Sequence, residues 1–258
     1  MIRVRLLHAI APLLPLLREA AAALYPALCA ICRAPDLGDG VGCAEHRLQL
    51  QLAGPRCGRC ALRLAALLPD GTPCVNCRSE SPRFRRAACL LDYGRDPAAR
   101  AWVLALKHGG RRDLAAPLGV LLGARLELEP ASELPRVLVP VPLHATRSLE
   151  RGYDQARLLA DAVAGATGLA VVCALARVRA TPPQGSGLAP PRAANVRGAF
   201  APARQMFLGR ERVLRKIRGA EVWLVDDVLT SGATANECAR VLKRLGAARV
   251  HVLALARA

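Results

Sequence analysis

The sequence predicts an α/β protein with a doubly wound, mostly parallel sheet, preceded by a cysteine-rich module of tight turns. Three observations carry that expectation. Residues 83–258 alternate short apolar runs with stretches of helical periodicity, as a βαβ series does. Val222, Trp223, Leu224 and Val225 form an unbroken apolar run, the pattern of a strand buried on both faces. Seven of the ten cysteines fall within residues 29–77, six of them as CxxC pairs among glycines and prolines, which favours a ligand module over a packed core.

Three segments follow: 1–26, 27–80 and 83–258. In the first, Arg3 and Arg5 precede an apolar stretch from Leu6 to Leu17 that loosely mimics a secretory signal. Pro12 and Pro15 interrupt the stretch, Arg18 and Glu19 follow it, and it is too short to span a bilayer. The segment is read as an amphipathic helix that packs on the protein or a partner. No transmembrane span and a cytoplasmic location are expected.

The second segment carries Cys29/Cys32, Cys57/Cys60 and Cys74/Cys77, and Cys43 is followed at the same spacing by His46. Four such turns offer eight ligands, enough for two tetrahedral zinc sites. Sequential pairing places Cys29, Cys32, Cys43 and His46 on one zinc and Cys57, Cys60, Cys74 and Cys77 on the other; an interleaved pairing stays open. The spacing favours zinc over disulfides. Cys89, Cys173 and Cys238 lie outside the pattern and are expected to be buried apolar residues.

In the third segment the chemistry concentrates at residues 222–234, VWLVDDVLTSGAT. The helix after this stretch shows Cys238, Val241, Leu242 and Leu245 on one face and stops at Gly246. Asp226 and Asp227 therefore sit at the carboxyl end of a strand, where open α/β sheets bind ligands. Beyond Val228 and Leu229, Thr230, Ser231, Gly232, Ala233 and Thr234 open the helix, and free N–H groups there attract a phosphate. Two ionised carboxylates repel a phosphate but suit the diol of a sugar, so the pattern points to a ribose phosphate.

Upstream, the strand Val137–Val141 leads into Pro142, Leu143 and His144, then Arg147 and Arg151 at the start of a helical stretch. Those arginines, with Lys107 of a basic turn, are candidates to hold a pyrophosphate, against the plainer reading of a solvated basic helix start. Residues 181–200 are rich in proline and glycine and hold Gln184, Arg192 and Asn195; they read either as a loop that closes over a reactive ligand or as an ordinary linker. His108 and His144 receive no role, and no catalytic residue is assigned.

The formal charge of +17 suggests a polyanion partner, but arginine outnumbers lysine 34 to 3, which biased composition also explains. Aromatic residues make up 3% of the chain, so base stacking has few side chains to use.

Residues 222–234 resemble the phosphoribosyl-pyrophosphate (PRPP) signature of type I phosphoribosyltransferases. The order of motifs is similar to that of the ComF family over roughly residues 26–258: a double zinc ribbon, Tyr93 and Lys107-x-x-Gly110, then VPVPLHATRSLERGYDQA, TPPQ…RAANVRGAF and VDDVLTSGAT. His46 departs from the cysteine common at that point of the family. The resemblance implies a type I phosphoribosyltransferase fold with an N-terminal double zinc ribbon, and PRPP with Mg²⁺ bound at Asp226, Asp227 and Thr230 to Thr234. It also implies a link to natural competence, through single-stranded DNA and a helicase or ATPase partner at the inner face of the membrane; a homodimer is compatible with it. Two readings of function stay open: a phosphoribosyltransferase acting on a base, and a non-catalytic adaptor whose PRPP site senses nucleotide status.

Overall fold

The computed structural model describes residues 27–29, 34–36, 43, 54–66, 68–69, 72–180, 194, 196–203 and 206–258. The expected N-terminal helix over 1–26 lies outside them. The chain divides into two compact units, Met1–Gln49 and Leu50–Ala258. In the first, β1 (Ala27–Leu28) pairs antiparallel with β2 (Pro35–Asp36), and the Cys29 N–H donates to the Ala34 carbonyl at 2.9 Å.

The second unit is built on a parallel five-stranded sheet. Its strands are β3 (Ala87–Asp92), β4 (Arg136–Pro140), β5 (Ala170–Val171), β8 (Glu221–Leu229) and β9 (Arg249–Arg257), in the spatial order β3-β9-β8-β4-β5. Every neighbouring pair is parallel, the arrangement that the continuous apolar runs require. At the centre, Val222, Leu224 and Val225 of β8 are fully buried.

The side chains of β8 and β9 alternate between two covered faces, as the two-residue period dictates. Val222, Leu224, Val250, Val252 and Ala254 join one cluster with Cys238, Ala239, Val241 and Leu242 of α7 (Ala233–Arg244), and with the cysteines of the module before β3. On the other face, α3 (Ala115–Glu127) and α5 (Gln155–Thr167) pack against the sheet and against each other. Their approach is set by small residues: a Cβ on Gly119 would lie 2.2 Å from that of Ala162. Helices on both faces make the sheet doubly wound, as expected.

Shorter elements frame the carboxyl end of the sheet. They are α1 (Val75–Glu80), α2 (Pro97–His108), α4 (Ala145–Arg151) and the antiparallel pair β6 (Leu175–Arg177) and β7 (Phe200–Pro202), with α6 (Met206–Ile217) leading into β8.

The strand runs past its apolar run Val222–Val225 and through both aspartates to Leu229, because β9 extends the ladder with Val228 opposite Ala256 and Leu229 opposite Arg257. One expectation is corrected. Cys89 and Cys238 are buried, but Cys173 is only half-buried; it follows the short edge strand β5, and Arg157 Nη1 donates to its sulfur at 2.7 Å. No helix among the described residues is long and apolar enough to cross a membrane.

Candidate functional site

Asp226 and Asp227 point to different sides of β8 and acquire different surroundings. Asp227 is buried; Lys107 Nζ lies 3.0 Å from Oδ1, and Gln155 Nε2 donates to Oδ2 at 2.8 Å. Each partner arrives for a local reason. Lys107 is in the last turn of α2, where cations complement the helix dipole. Gln155 is the first residue of α5, fixed by the N-cap Asp154, whose Oδ1 accepts from the Arg157 N–H at 3.1 Å. The other oxygen of Asp154 accepts from the Leu143 N–H at 3.1 Å, so one carboxylate ties the turn after β4 to the helix that delivers Gln155.

Asp226 is partly exposed, and its Oδ1 accepts from the Asp227 N–H at 2.8 Å. Burial and then the neighbouring Asp227 charge push its carboxyl up to about 8, with Lys107 opposing. The same burial and like charge favour the protonated form of Asp226. A protonated acid beside a carboxylate offers one donor and several acceptors, which fits a vicinal diol at least as well.

The loop after β8 turns through Gly232, whose φ of +90° needs glycine and which lies against the Phe84 ring. Ser231 Oγ accepts from the Ala233 N–H at 3.3 Å, and the first helical bond of α7 runs from the Asn236 N–H to the Gly232 carbonyl at 2.8 Å. The N–H groups of Thr234 and Ala235 fall in the first turn, where no intrahelical acceptor exists.

Linked to the acid pair through Lys107, a cleft of about 720 Å³ is lined by Lys107, His108, Arg147, Glu150, Arg151 and Tyr153. Three of the expected pyrophosphate-side residues, Lys107, Arg147 and Arg151, thus come together. Arg151 Nη1 is buried with no hydrogen-bond partner among the described residues. The His108 ring is held below its usual pKa by burial and by Arg151 and Lys107, the mark of a cationic pocket. Tyr153 Oη donates to the Leu106 carbonyl at 2.5 Å, and the Arg112 guanidinium stacks on its ring at 4.7 Å; these contacts fix one wall.

Pro142, Leu143 and His144 form the adjoining turn. His144 caps α4, its Nδ1 accepting from the Thr146 N–H, and it bridges to Arg177 of β6, so it acts locally as a cap. The loop residues Gln184, Arg192 and Asn195 lie outside the described residues.

The four cysteines of the second unit lie directly behind the loop. Cys57, Cys60, Cys74 and Cys77 bring their sulfurs within 4.8 Å of one another, all buried. Cys57 and Cys77 are 3.8 Å apart and Cys60 and Cys74 are 3.5 Å apart. Four thiolates about 2.3 Å from a tetrahedral zinc would be about 3.8 Å apart, so the cluster fits that ion, whereas a disulfide requires about 2.05 Å. Burial opposes ionisation here, yet the N–H groups of Cys60 and Arg59 outweigh it at Cys57 and lower that thiol to about 7. In the first unit, Cys29 and Cys43 are described, while Cys32 and His46 lie outside the described residues.

Two links join module and loop that residue patterns did not reveal. Arg257, buried in the last strand, donates from Nε to the Cys60 carbonyl at 2.9 Å, and from Nη1 to the Leu229 and Thr230 carbonyls at 2.9 and 2.6 Å. Asn76, between Cys74 and Cys77, reaches the Ser231 carbonyl at 3.5 Å. Residue type gives no warning of either: Arg257 is one of 34 arginines, and only the β8–β9 register places it opposite Leu229.

No protein-family model matches the chain. It is 33% identical over 240 residues to DNA utilization protein YhgH of Salmonella typhimurium, covering 90% of this chain and 97% of that protein. It is 30% identical over 243 residues to the Escherichia coli K12 protein of the same name, with the same coverage. Competence protein F of Haemophilus influenzae is 35% identical over 127 residues, 49% of this chain and 52% of that protein. Among solved structures, the glutamine PRPP amidotransferase from B. subtilis matches 58% of this chain and 30% of its own, at a TM-score of 0.35 and 23% identity.

Proposed function

Since the chain belongs to the family of DNA utilization protein YhgH and competence protein F, the ComF family that its motifs resemble, we propose that it is a phosphoribosyltransferase-like protein that binds PRPP and acts in DNA utilization and competence. The observation that carries the ligand reading is the convergence at Asp227: an acid pair, a glycine-turned helix start and a cleft with Lys107, Arg147 and Arg151 meet at the carboxyl end of one strand.

In this reading Asp226 and Asp227 hold the ribose hydroxyls. The N–H groups and hydroxyls of Thr230 to Thr234 hold the 5-phosphate, where the helix dipole favours negative charge. Lys107, Arg147 and Arg151 face the pyrophosphate, and Arg151 Nη1 gains an acceptor that it lacks among the described residues. Mg²⁺ bound with PRPP supplies further charge neutralisation. In a transfer reaction the sugar–pyrophosphate bond breaks as an acceptor attacks C1, and positioning with charge stabilisation lowers the barrier.

Cys57, Cys60, Cys74 and Cys77 hold one structural zinc in this proposal, and Cys29, Cys32, Cys43 and His46 a second. Single-stranded DNA and a helicase or ATPase of DNA uptake are the partners, in the cytoplasm at the inner face of the membrane.

Titration calorimetry with PRPP and Mg²⁺ tests the ligand reading. The wild type binds, Asp227→Ala loses at least about tenfold in affinity, a loss of about 1.4 kcal/mol or more, and zinc content stays the same in both. Equal affinity in the variant overturns the site. Pyrophosphate release that depends on an added base identifies a transferase; binding without turnover identifies the sensing adaptor.

A further inference from the structure

A second cleft, of about 690 Å³, opens between the four-cysteine module and the amino-terminal ends of β3 and β9. It lies toward the opposite end of the sheet from the acid pair. Arg85 lies two residues before β3 and Arg249 opens β9, whereas Asp226 pairs five residues further on, with Ala254. The module supplies one wall through Arg59, and α7 supplies another through Lys243 in its last turn.

The lining is cationic throughout. Arg59, Arg83, Arg85, Lys243 and Arg249 are exposed along it, and no described residue of the lining carries a carboxylate. Some cations there already have structural work: Arg56 pairs with Asp92 at 2.9 Å, Arg86 with Glu129 at 2.9 Å, and Arg59 donates to the Pro82 and Phe84 carbonyls. The side chains of Arg83, Arg85 and Lys243 have no ion pair or hydrogen bond among the described residues, and Arg249 reaches Glu221 only at 3.7 Å while 45% of its side chain stays in water. Holding several like charges around one concavity is electrostatically unfavourable without a bound anion, and the spread from module to helix exceeds one phosphate group.

We infer that this cleft is the binding groove for the phosphodiester backbone of single-stranded nucleic acid, separate from the ribose-phosphate site. The inference rests on the DNA-utilization reading and names the surface that serves it. A concave groove excludes the stiff cylinder of a duplex but admits a flexible single strand. Arginine forks match phosphodiester oxygens. The one aromatic residue in the lining, Phe84, is 1% exposed, so no base can stack there; the groove reads charge without sequence.

The test is fluorescence anisotropy of the full chain with labelled oligo(dT) of about twenty nucleotides across a salt series. The variant is Arg83→Ala/Arg85→Ala/Lys243→Ala, whose three side chains are exposed and whose fold is checked by circular dichroism and PRPP calorimetry. Each phosphate neutralised on a single strand contributes about −0.7 to the slope of log K against log salt, so the variant flattens the slope by about 2 and loses affinity roughly tenfold or more. PRPP affinity stays at the wild-type value. Wild-type binding with an unchanged slope in the variant places DNA elsewhere and overturns the groove; so does equal affinity for a duplex of the same length. Absence of DNA binding by the wild type overturns it as well, while leaving PRPP binding to be judged by Asp227→Ala alone.

Discussion

The two ends of β8 each bury a carboxylate, and they treat it in opposite ways. Glu221, at the amino end, has 4% of its side chain exposed and is enclosed by compensation. Arg136 Nε lies at 3.1 Å, the Trp223 indole N–H donates to it at 3.2 Å, and Arg249 and His251 stand at 3.7 and 3.8 Å. Burial alone would raise its pKa, yet hydrogen bonds and neighbouring positive charge win and hold it below the ordinary glutamate value. Five residues along, Asp226 has burial and a like charge beside it, and its carboxyl rises to about 8. One strand thus carries a carboxylate whose charge is fully answered and an acid pair whose charge is only half answered. A satisfied carboxylate stabilises a fold; an unsatisfied pair holds electrostatic cost that a ligand can relieve.

The largest effect should come from breaking the satisfied end. Glu221→Ala leaves Arg136 facing the interior without its anion and should cost about 3–5 kcal/mol in urea unfolding. A loss under about 1 kcal/mol would mean that the cluster is solvated and the contrast false.

Asp226→Asn should act in the other direction. Its native pKa lies above the unfolded value, so the native state holds the extra proton between about pH 4 and pH 8, and the wild type loses stability as pH rises through that window. The variant has no such proton to lose. Its Tm should exceed that of the wild type by several degrees at pH 8, with the gap closing near pH 4; a pH-independent difference would place the strain elsewhere.

Smaller again is Gly232→Ala. Alanine must adopt φ of +90°, at about 1–2 kcal/mol, and PRPP affinity should fall with it. Unchanged affinity would show that the loop backbone does not approach the ligand.

The sequence made the satisfied and unsatisfied ends unequally legible. The acid pair, the loop and the helix beyond it form one contiguous run, so strand, carboxylates and phosphate cradle could be placed together from residues 222–234 alone. Lys107 and Gln155 are 120 and 72 residues away from Asp227, and only the packing of α2 and α5 on one face brings them within 3 Å. The same limit hid the upward push on the Asp226 carboxyl, which depends on burial from several elements. Cys173 misled because cysteine is usually buried, while this one sits after a two-residue edge strand with Arg157 against it. The basic cleft was invisible for a different reason: among so many arginines, those that converge at the ends of β3 and β9 carry no mark in the chain.

Arg257 has one more consequence, best stated as linkage. A single buried guanidinium holds the Cys60 carbonyl on one side and the Leu229 and Thr230 carbonyls on the other, so the four-cysteine cluster and the loop that follows the acid pair share a fastening. Two sites joined in this way influence each other by equal factors. If the cysteines hold zinc and the loop holds PRPP as proposed, whatever factor zinc contributes to PRPP affinity PRPP returns to zinc affinity, and the chelator concentration that removes half the metal at equilibrium becomes a gauge of nucleotide-precursor supply.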